Sequence, residues 1–211
     1  MTMLGAARPV VYIIDDDSIM LELVDSLVKT LGVDTRSFAS AEAFLQQYQE
    51  AACECVVSDM RMPGVSGLQL QRELQVRFAE PPPLILITSY GEVSAAVDAM
   101  KQGVFDFVEK PLDGHHFLEK VQLALNASRD LHQQRMRRSA REARLALLTP
   151  KEREILEGVV QGLSSKEIAQ QQNLSVRTVE NHRARLMEKL RVKSAVELVR
   201  EFLQTGQPPL S

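Results

Sequence analysis

The sequence predicts two domains: an α/β domain with a doubly wound parallel sheet of five βα units, followed by a small all-α domain of four helices. Three observations support this prediction. Apolar runs alternate with helical stretches over residues 1–127, helix-start signals recur after residue 148, and the two halves differ in charge. A chain of 211 residues has room for two domains, since a domain takes about 100 to 200 residues.

Five stretches of the first half are predicted to be strands. Four are apolar runs typical of sheets buried on both faces, and the second in chain order is weaker. Helical stretches such as "SIMLELVDSLVKTLG" and "VSAAVDAMKQG" separate them. Because each helix returns the chain to the same end of the sheet, the strands are expected to be parallel. The five runs are "VVYII", "VDTRSF", "CECVVSD", "PLILITS" and "VFDFVEK".

A change in pattern marks the second domain. The fifth helix is predicted to start near Asp113 and to extend through "ASRDLHQQRMRRSAREARLALL", an Arg-rich connector without Gly or Pro. Beyond it, "TPKE", "SSKE" and "SAVE" each match the capping box of a helix start, and Ser175 offers a fourth start. We therefore predict one domain over residues 1–127, a helical linker over 128–146 and four short helices within 147–211.

Charge and composition restrict the classes of function. Residues 1–127 carry 18 Asp and Glu against 9 Lys and Arg, and residues 128–211 carry 10 against 16, so the formal charges are −9 and +6. The acidic half suits cations, and the basic half suits nucleic acid or an anionic membrane surface. No apolar stretch is long enough for a membrane span and the start of the chain does not resemble a signal peptide, so we expect a cytoplasmic protein without a membrane partner. The only cysteines, Cys53 and Cys55, are expected to be reduced and structural.

Polar side chains follow four of the predicted strands. Asp15 and Asp16 end the first strand, Asp59 the third, Thr88 the fourth and Lys110 the fifth. Alone, each has an ordinary explanation as a turn acid, a strand hydroxyl or a solvated lysine. Ligands of open α/β sheets bind beyond the carboxyl ends of the strands, so these groups are expected to converge. Three carboxylates suit Mg²⁺, and the hydroxyl and ammonium suit a phosphoryl group.

Four ordered motifs, "IIDDDS", "SDMRMPGVSG", "ITS" and "EKP", resemble the receiver domain of two-component response regulators. The resemblance implies that Asp59 is the phosphoacceptor, attacking a phosphohistidine of a sensor histidine kinase. It further implies that Asp15, Asp16 and Asp59 hold Mg²⁺ together with the backbone carbonyl of Arg61. Thr88 and Lys110 would assist the transfer.

The same resemblance makes Phe107 an aromatic switch that turns inward when Thr88 moves toward the phosphate. In a buried strand Phe107 is equally a core residue, and the two roles are compatible. The family also implies a homodimer on phosphorylation, formed through the helix after Gly91 and the strand ending at Lys110.

The stretch "LSVRTVENHRARLMEKLRVKS" is predicted to be an amphipathic helix. At 100° per residue, Val176, Val179, Leu186, Met187 and Leu190 form one apolar stripe. Charge alone would favour an ordinary solvated helix. The opposite face carries small, amide and cationic groups that suit the major groove of DNA.

The text from "LTPKEREILEGVVQGLSSKEIAQQQ" to "NLSVRTVENHRARLMEKL" resembles the LuxR-type helix-turn-helix domain, over roughly residues 147 to 206. Together the two halves resemble the FixJ/NarL family of transcriptional regulators. The resemblance implies binding to a double-stranded DNA operator, with RNA polymerase as a candidate partner. The DNA-binding residues it implies are Arg177, Glu180, Asn181, Ala184, Arg185 and Lys189.

The sequence leaves two other classes of function as alternatives. Aspartyl-phosphate phosphatases also combine an aspartate nucleophile, Mg²⁺, a Thr and a Lys, but they usually place a general acid two residues after the nucleophile. Here that position is Arg61, so the sequence favours a protein that is not an enzyme. The intact acidic set argues against a phosphorylation-independent protein-binding module.

Overall fold

The computed structural model describes residues 8–89 and 100–203, and the chain divides into two compact units between Gln134 and Arg135. The helix predicted within 93–103 lies mostly outside the described residues. In the described part of the chain, no helix has the length and apolar character needed to cross a membrane.

The first unit is an α/β domain with a five-stranded parallel sheet, as predicted. The strand order is β2-β1-β3-β4-β5, so the chain reverses its direction across the sheet between β1 and β3. Such a reversal opens a crevice beyond the carboxyl ends of the two strands. The strands are β1 (Val10–Ile14), β2 (Asp34–Phe38), β3 (Glu54–Asp59), β4 (Leu84–Thr88) and β5 (Asp106–Glu109). The described helices are α1 (Ser18–Lys29), α2 (Ala41–Gln47), α3 (Gly67–Arg77) and α4 (Gly114–Ala146).

Alternate residues of the strands contribute to two apolar cores, one on each face of the sheet. Val11 and Ile13 pack with residues of α1 and α4, whereas Tyr12 and Ile14 pack with residues of α2 and α3. This two-sided burial explains why β1 and β4 are continuous apolar runs rather than alternating ones. Cys53 and Cys55 lie on one face, buried and free, as predicted.

Helix α4 is continuous over 33 residues, from Gly114 to Ala146, so the segment predicted to be a linker is helical. Asp113 accepts the backbone N–H groups of His115 and His116, which fixes the start of the helix where it was predicted. Its buried residues all lie between Phe117 and Ser128. The Arg-rich half that follows is largely exposed, as a solvated connector should be.

The second unit contains the four predicted helices, α5 (Pro150–Val160), α6 (Ser165–Gln171), α7 (Val176–Leu190) and α8 (Ala195–Leu203). Thr149 and Ser164 form complete capping boxes, and Ser175 caps α7. The third predicted box is incomplete, because the Glu197 carboxylate accepts the N–H of Lys193 instead of that of Ser194.

Candidate functional site

The first candidate site lies at the carboxyl edge of the sheet. Ile14 pairs with Ser58, so the next residues of β1 and β3, Asp15 and Asp59, lie level with each other. Both are buried, with 3% and 8% of their surface exposed, and Lys110 reaches them from the end of β5. Its Nζ lies 2.5 Å from Oδ1 of Asp59 and 3.6 Å from Oδ2 of Asp15. The structure therefore brings together three of the predicted site residues.

The remaining predicted groups flank this core. Thr88 is buried at the end of β4, where its carbonyl accepts the N–H of Lys110 at 2.8 Å. Its hydroxyl donates to the Ser89 carbonyl at 3.5 Å. Asp16 is exposed beside the site, and Asp17, the third acid of the run, accepts the N–H of Ile19 and caps α1. That helix-starting role of Asp17 was missed by the sequence analysis.

Two buried carboxylates share one ammonium, so this edge of the sheet carries an excess of negative charge. Oδ1 of Asp15 accepts the N–H of Asp17 at 2.9 Å, but its buried Oδ2 accepts no hydrogen bond within the described residues. Burial raises the pKa of Asp15, with Asp59 and Asp16 adding to the effect against the N–H of Asp17 and Lys110. Burial alone would lower the pKa of Lys110, but its hydrogen bond and charge pairing with Asp59, and its pairing with Asp15, hold it above its usual value. A cation would relieve the excess negative charge.

The loop after Asp59 is fixed by close backbone contacts. The N–H of Arg61 donates to Oδ2 of Asp59 at 2.7 Å, a contact that the sequence analysis missed. Gly67 passes so close that a Cβ there would lie 2.5 Å from the Asp59 carbonyl oxygen. Glu42 of α2 accepts the N–H of Val65 at 3.0 Å. The Arg61 N–H thus binds one oxygen of the Asp59 carboxylate, and the other two contacts fix the course of the loop.

Phe107 lies on β5, partly buried against the core that contains Tyr12 and Ile14. The ammonium of Lys120 on α4 lies 5.9 Å from the centre of its ring and pairs with Asp106 at 2.6 Å. Lys120 was not identified from the sequence, since nothing in the pattern joins α4 to this strand.

The second candidate site is the outward face of α7. Val179, Leu186 and Leu190 are buried in the core of the second unit, as the predicted stripe requires, although Val176 is 41% exposed. The residues on the opposite face are exposed and available to a partner. They are Arg177, Glu180, Asn181, Ala184 and Arg185.

Lys189, predicted to contact DNA, lies in an ion pair within the second unit. Its Nζ lies 2.7 Å from Oε2 of Glu152 and 3.2 Å from the Leu147 carbonyl oxygen. Glu152 is 2% exposed, and the same oxygen accepts the N–H of Thr149 at 2.8 Å. Because a buried carboxylate needs its cation, the ammonium of Lys189 is engaged inside the domain. We therefore propose that Lys189 serves this internal ion pair rather than DNA binding.

Comparison with known families identifies both domains of the chain. The sequence model described as "Response regulator receiver domain" matches residues 11–122, and that described as "Bacterial regulatory proteins, luxR family" matches residues 146–202. The chain belongs to the response regulators of two-component systems and carries a LuxR-type DNA-binding domain. A sensor kinase and DNA are the partners that this family implies, and its members are typically transcription factors without enzymatic activity.

Relatives match over almost the whole chain. The transcriptional regulatory protein FixJ of Azorhizobium caulinodans is 40% identical over 199 residues, which are 94% of this chain and 94% of that protein. TdiR of Thauera aromatica is 38% identical and covers 93% of this chain and 86% of its own length. The solved structure of the response regulator StyR has a TM-score of 0.86 at 32% identity, covering 94% of this chain and all of the other. Two-domain similarity of this extent supports the architecture described above.

Receiver domains generally use Mg²⁺, and the residues present fit this ion. In the two described ranges, no group of three or more His, Cys, Asp or Glu side chains is close enough to hold a metal by itself. Mg²⁺ needs only one or two carboxylates, since it keeps several waters. Asp15, whose Oδ2 accepts no hydrogen bond within the described residues, and the adjacent Asp59 meet that requirement.

Proposed function

We propose that Asp59 accepts a phosphoryl group from a phosphohistidine of a sensor kinase. The observation that carries the proposal is the environment of its carboxylate, which is held between the Lys110 ammonium and the Arg61 N–H at the open end of the sheet. A carboxylate oxygen forms the new P–O bond while the P–N bond to the histidine breaks, and the bonding electrons leave with the imidazole nitrogen. The product is an aspartyl phosphate.

Positioning and charge account for most of the catalysis in such a transfer. The Lys110 ammonium can pair first with the Asp59 oxygen and then with the phosphoryl oxygens. Thr88 can turn its hydroxyl toward the same phosphoryl oxygens. We assign the Mg²⁺ ligands to Asp15, Asp16, Asp59 and the backbone carbonyl of Arg61. When bound, Mg²⁺ neutralises charge on the transferring oxygens.

Phosphorylation is proposed to act through Thr88 and Phe107 on dimerisation. Movement of Thr88 toward the phosphate would make room for Phe107 to turn inward, and the outer surface of β5 would change with it. The helix predicted after Gly91, which would form the other part of the dimer surface, lies outside the described residues. A two-fold dimer would present two copies of α7 to a two-fold operator.

The outward face of α7 is the proposed DNA-binding surface. Asn181, near its centre, can donate and accept at once, as the adenine edge requires. Arg177 and Arg185 place positive charge on the same exposed face, where phosphates flank the major groove. Glu180 and Ala184 complete the surface, and Lys189 is left out because Glu152 holds it.

The test is phosphorylation of the full chain with acetyl phosphate and Mg²⁺, followed by intact mass and peptide mapping. We expect a stable gain of one phosphate on Asp59, absent in Asp59→Asn, which keeps the shape of the side chain but removes the nucleophile. Incorporation in that variant at the wild-type rate would contradict the assignment of Asp59. Rapid release of phosphate would favour a phosphatase, and no incorporation would favour an inert binding module.

Dimerisation is tested on the same samples by sedimentation. We expect the phosphorylated chain to shift toward a dimer while Asp59→Asn remains a monomer under the same treatment. An unchanged monomer after complete phosphorylation, with DNA present, would contradict the proposed dimer.

A further inference from the structure

Two helix ends are joined within the second unit: the end of α4 and the end of α7. The last four carbonyl groups of a helix have no partner inside the helix and must be satisfied from elsewhere. Here each end receives a cation from the other. Nη1 of Arg144 on α4 donates to the Leu190 carbonyl of α7 at 2.9 Å, and Nζ of Lys189 on α7 donates to the Leu147 carbonyl just after α4 at 3.2 Å.

The end of α7 shows why Arg144 matters. Arg191 adopts a left-handed conformation with φ of 57°, so its N–H reaches the Glu188 carbonyl and the N–H of Val192 reaches that of Met187. This is the hydrogen-bond pattern of a Schellman motif, formed without the usual glycine. It satisfies two carbonyls and leaves Leu190 outside the pattern. Arg144 supplies the donor for Leu190, and its positive charge suits the negative end of the helix dipole.

The end of α4 is held by the second unit in several ways. Arg153 of α5 donates to the Leu145 carbonyl from Nη2 at 3.2 Å and to the Leu148 carbonyl from Nε at 3.4 Å. Leu148 is buried in the core of the same unit, and Leu145 packs against that core. Arg144 therefore projects from a backbone that is itself anchored to α5.

We propose that the last turn of α4 is part of the DNA-binding unit and that Arg144 is a positioning residue for α7. Through the Leu190 carbonyl it fixes the end of α7 opposite the half that would enter the groove. This inference rests on the proposed placement of α7 on DNA. This role differs from a direct contact with a DNA phosphate, because Arg144 donates a hydrogen bond to a carbonyl inside the domain.

Three substitutions of the full chain test the proposal. Arg144→Ala removes the donor and the charge, whereas Arg144→Gln removes the charge and keeps an N–H that can reach a carbonyl. Arg138→Ala is the matched control, since Arg138 lies on the same helix, has 67% of its side chain exposed and pairs with Glu142 one turn away. All three change the net charge equally.

The first readout is amide hydrogen exchange at the end of α7. We expect exchange of the Arg191 and Val192 amides to rise about fivefold in Arg144→Ala, the effect of one hydrogen bond, with partial rescue in Arg144→Gln and no change in Arg138→Ala. Unchanged exchange in Arg144→Ala would overturn the proposal whether or not the chain binds DNA.

The second readout is binding to a duplex selected from a random library by the wild-type chain, and to unselected duplex, at several salt concentrations. We expect Arg144→Ala to weaken binding to the selected duplex about fivefold with an unchanged salt slope, and Arg144→Gln to recover part of the loss. Equal losses in both variants, with the slope reduced by about one unit, would show a phosphate contact and overturn the positioning role. If the wild-type chain selected no DNA, the proposed function of α7 would be refuted. The hydrogen-exchange measurement would still show whether Arg144 stabilises the end of α7 through the Leu190 carbonyl.

Discussion

Replacing Lys189 by Met is expected to destabilise the DNA-binding unit without touching its outward face. The ammonium lies 2.7 Å from the Glu152 carboxylate, whose side chain is only 3% exposed, while that of Lys189 is 34% exposed. Met keeps most of the length and apolar contacts of Lys but removes the charge. The substitution therefore leaves a buried carboxylate with the Thr149 N–H as its remaining partner at that oxygen.

The magnitude follows from two limits. Exposed ion pairs contribute about 0 to 1 kcal/mol, and removing one partner of a buried pair costs about 3 to 5 kcal/mol. This pair is buried on the Glu152 side and partly open on the Lys189 side, so we expect a loss of about 2 to 3 kcal/mol. In a domain of this size, that corresponds to a fall in Tm of roughly 10 to 20 °C.

Because the chain has two domains, the assay must resolve the second one. Hydrogen exchange of the buried amides of Ile155 and Leu186, followed across a denaturant series, reports the free energy of unfolding of that unit alone. Lys193→Met is the control, because Lys193 is exposed and its removal changes the net charge equally. A loss in Lys189→Met no larger than that in Lys193→Met would refute the reasoning.

The pH dependence offers an independent check. Burial alone would raise the pKa of Glu152, but the hydrogen bonds from Lys189 and Thr149 outweigh it and hold the pKa below its usual value. Such a carboxyl stabilises the fold above its ordinary pKa of about 4.3, and this contribution is lost as the pH falls through the lower folded value. In Lys189→Met, acid would instead neutralise an unpaired buried charge. The stability gap between wild type and variant should therefore shrink as the pH falls toward and then below the ordinary carboxyl pKa of about 4.3, and a constant gap would contradict the pairing.

Three further substitutions test the two sites. Asn181→Ala is expected to lower the preference for selected over random DNA by roughly 1 to 3 kcal/mol with little change in salt slope, whereas Arg185→Ala should weaken binding to both and reduce the slope by about one unit. Titrations showing the reverse assignment would contradict the proposed orientation of α7. Lys120→Met should cost the receiver domain about 1 to 3 kcal/mol, because its pair with Asp106 is largely buried. The exposed Lys29→Met control should lose less than about 1 kcal/mol in the same denaturation assay.

The fold was predictable from the sequence because its signals are local. Apolar runs mark the strands, and the hydroxyl and carboxylate groups of capping boxes such as Thr149 with Glu152 mark helix starts. The convergence of Asp15, Asp59 and Lys110 was also accessible, since parallel strands bring their carboxyl ends to one edge of a sheet.

Two missed contacts, those of Asp17 and Arg61, are local, whereas the missed contacts of Lys120 and Lys189 join residues far apart in the chain. Lys189 and Glu152 are separated by 37 positions, and helical spacing alone placed Lys189 with the cationic face of α7. The sequence does contain a signal for this contact, because Lys189 lies between Leu186 and Leu190, which both belong to the buried apolar stripe. A lysine at the border of an apolar stripe can turn toward the core as readily as toward solvent. Which way it turns depends on whether another element offers a buried carboxylate.

Both domains bury a carboxylate beside a lysine. The two pairs differ in how fully the negative charge is balanced, and this difference distinguishes a structural ion pair from a candidate functional site. One oxygen of Glu152 accepts hydrogen bonds from both the Lys189 ammonium and the Thr149 N–H, so the negative charge of this carboxylate is balanced. At the edge of the sheet, Lys110 must serve both Asp59 and Asp15, and a buried oxygen of Asp15 accepts no hydrogen bond within the described residues. A deficit of positive charge costs stability in the isolated domain. It also means that this site, unlike the pair in the second domain, is stabilised when a cation binds, as the proposed role of Mg²⁺ in the phosphorylation of Asp59 requires.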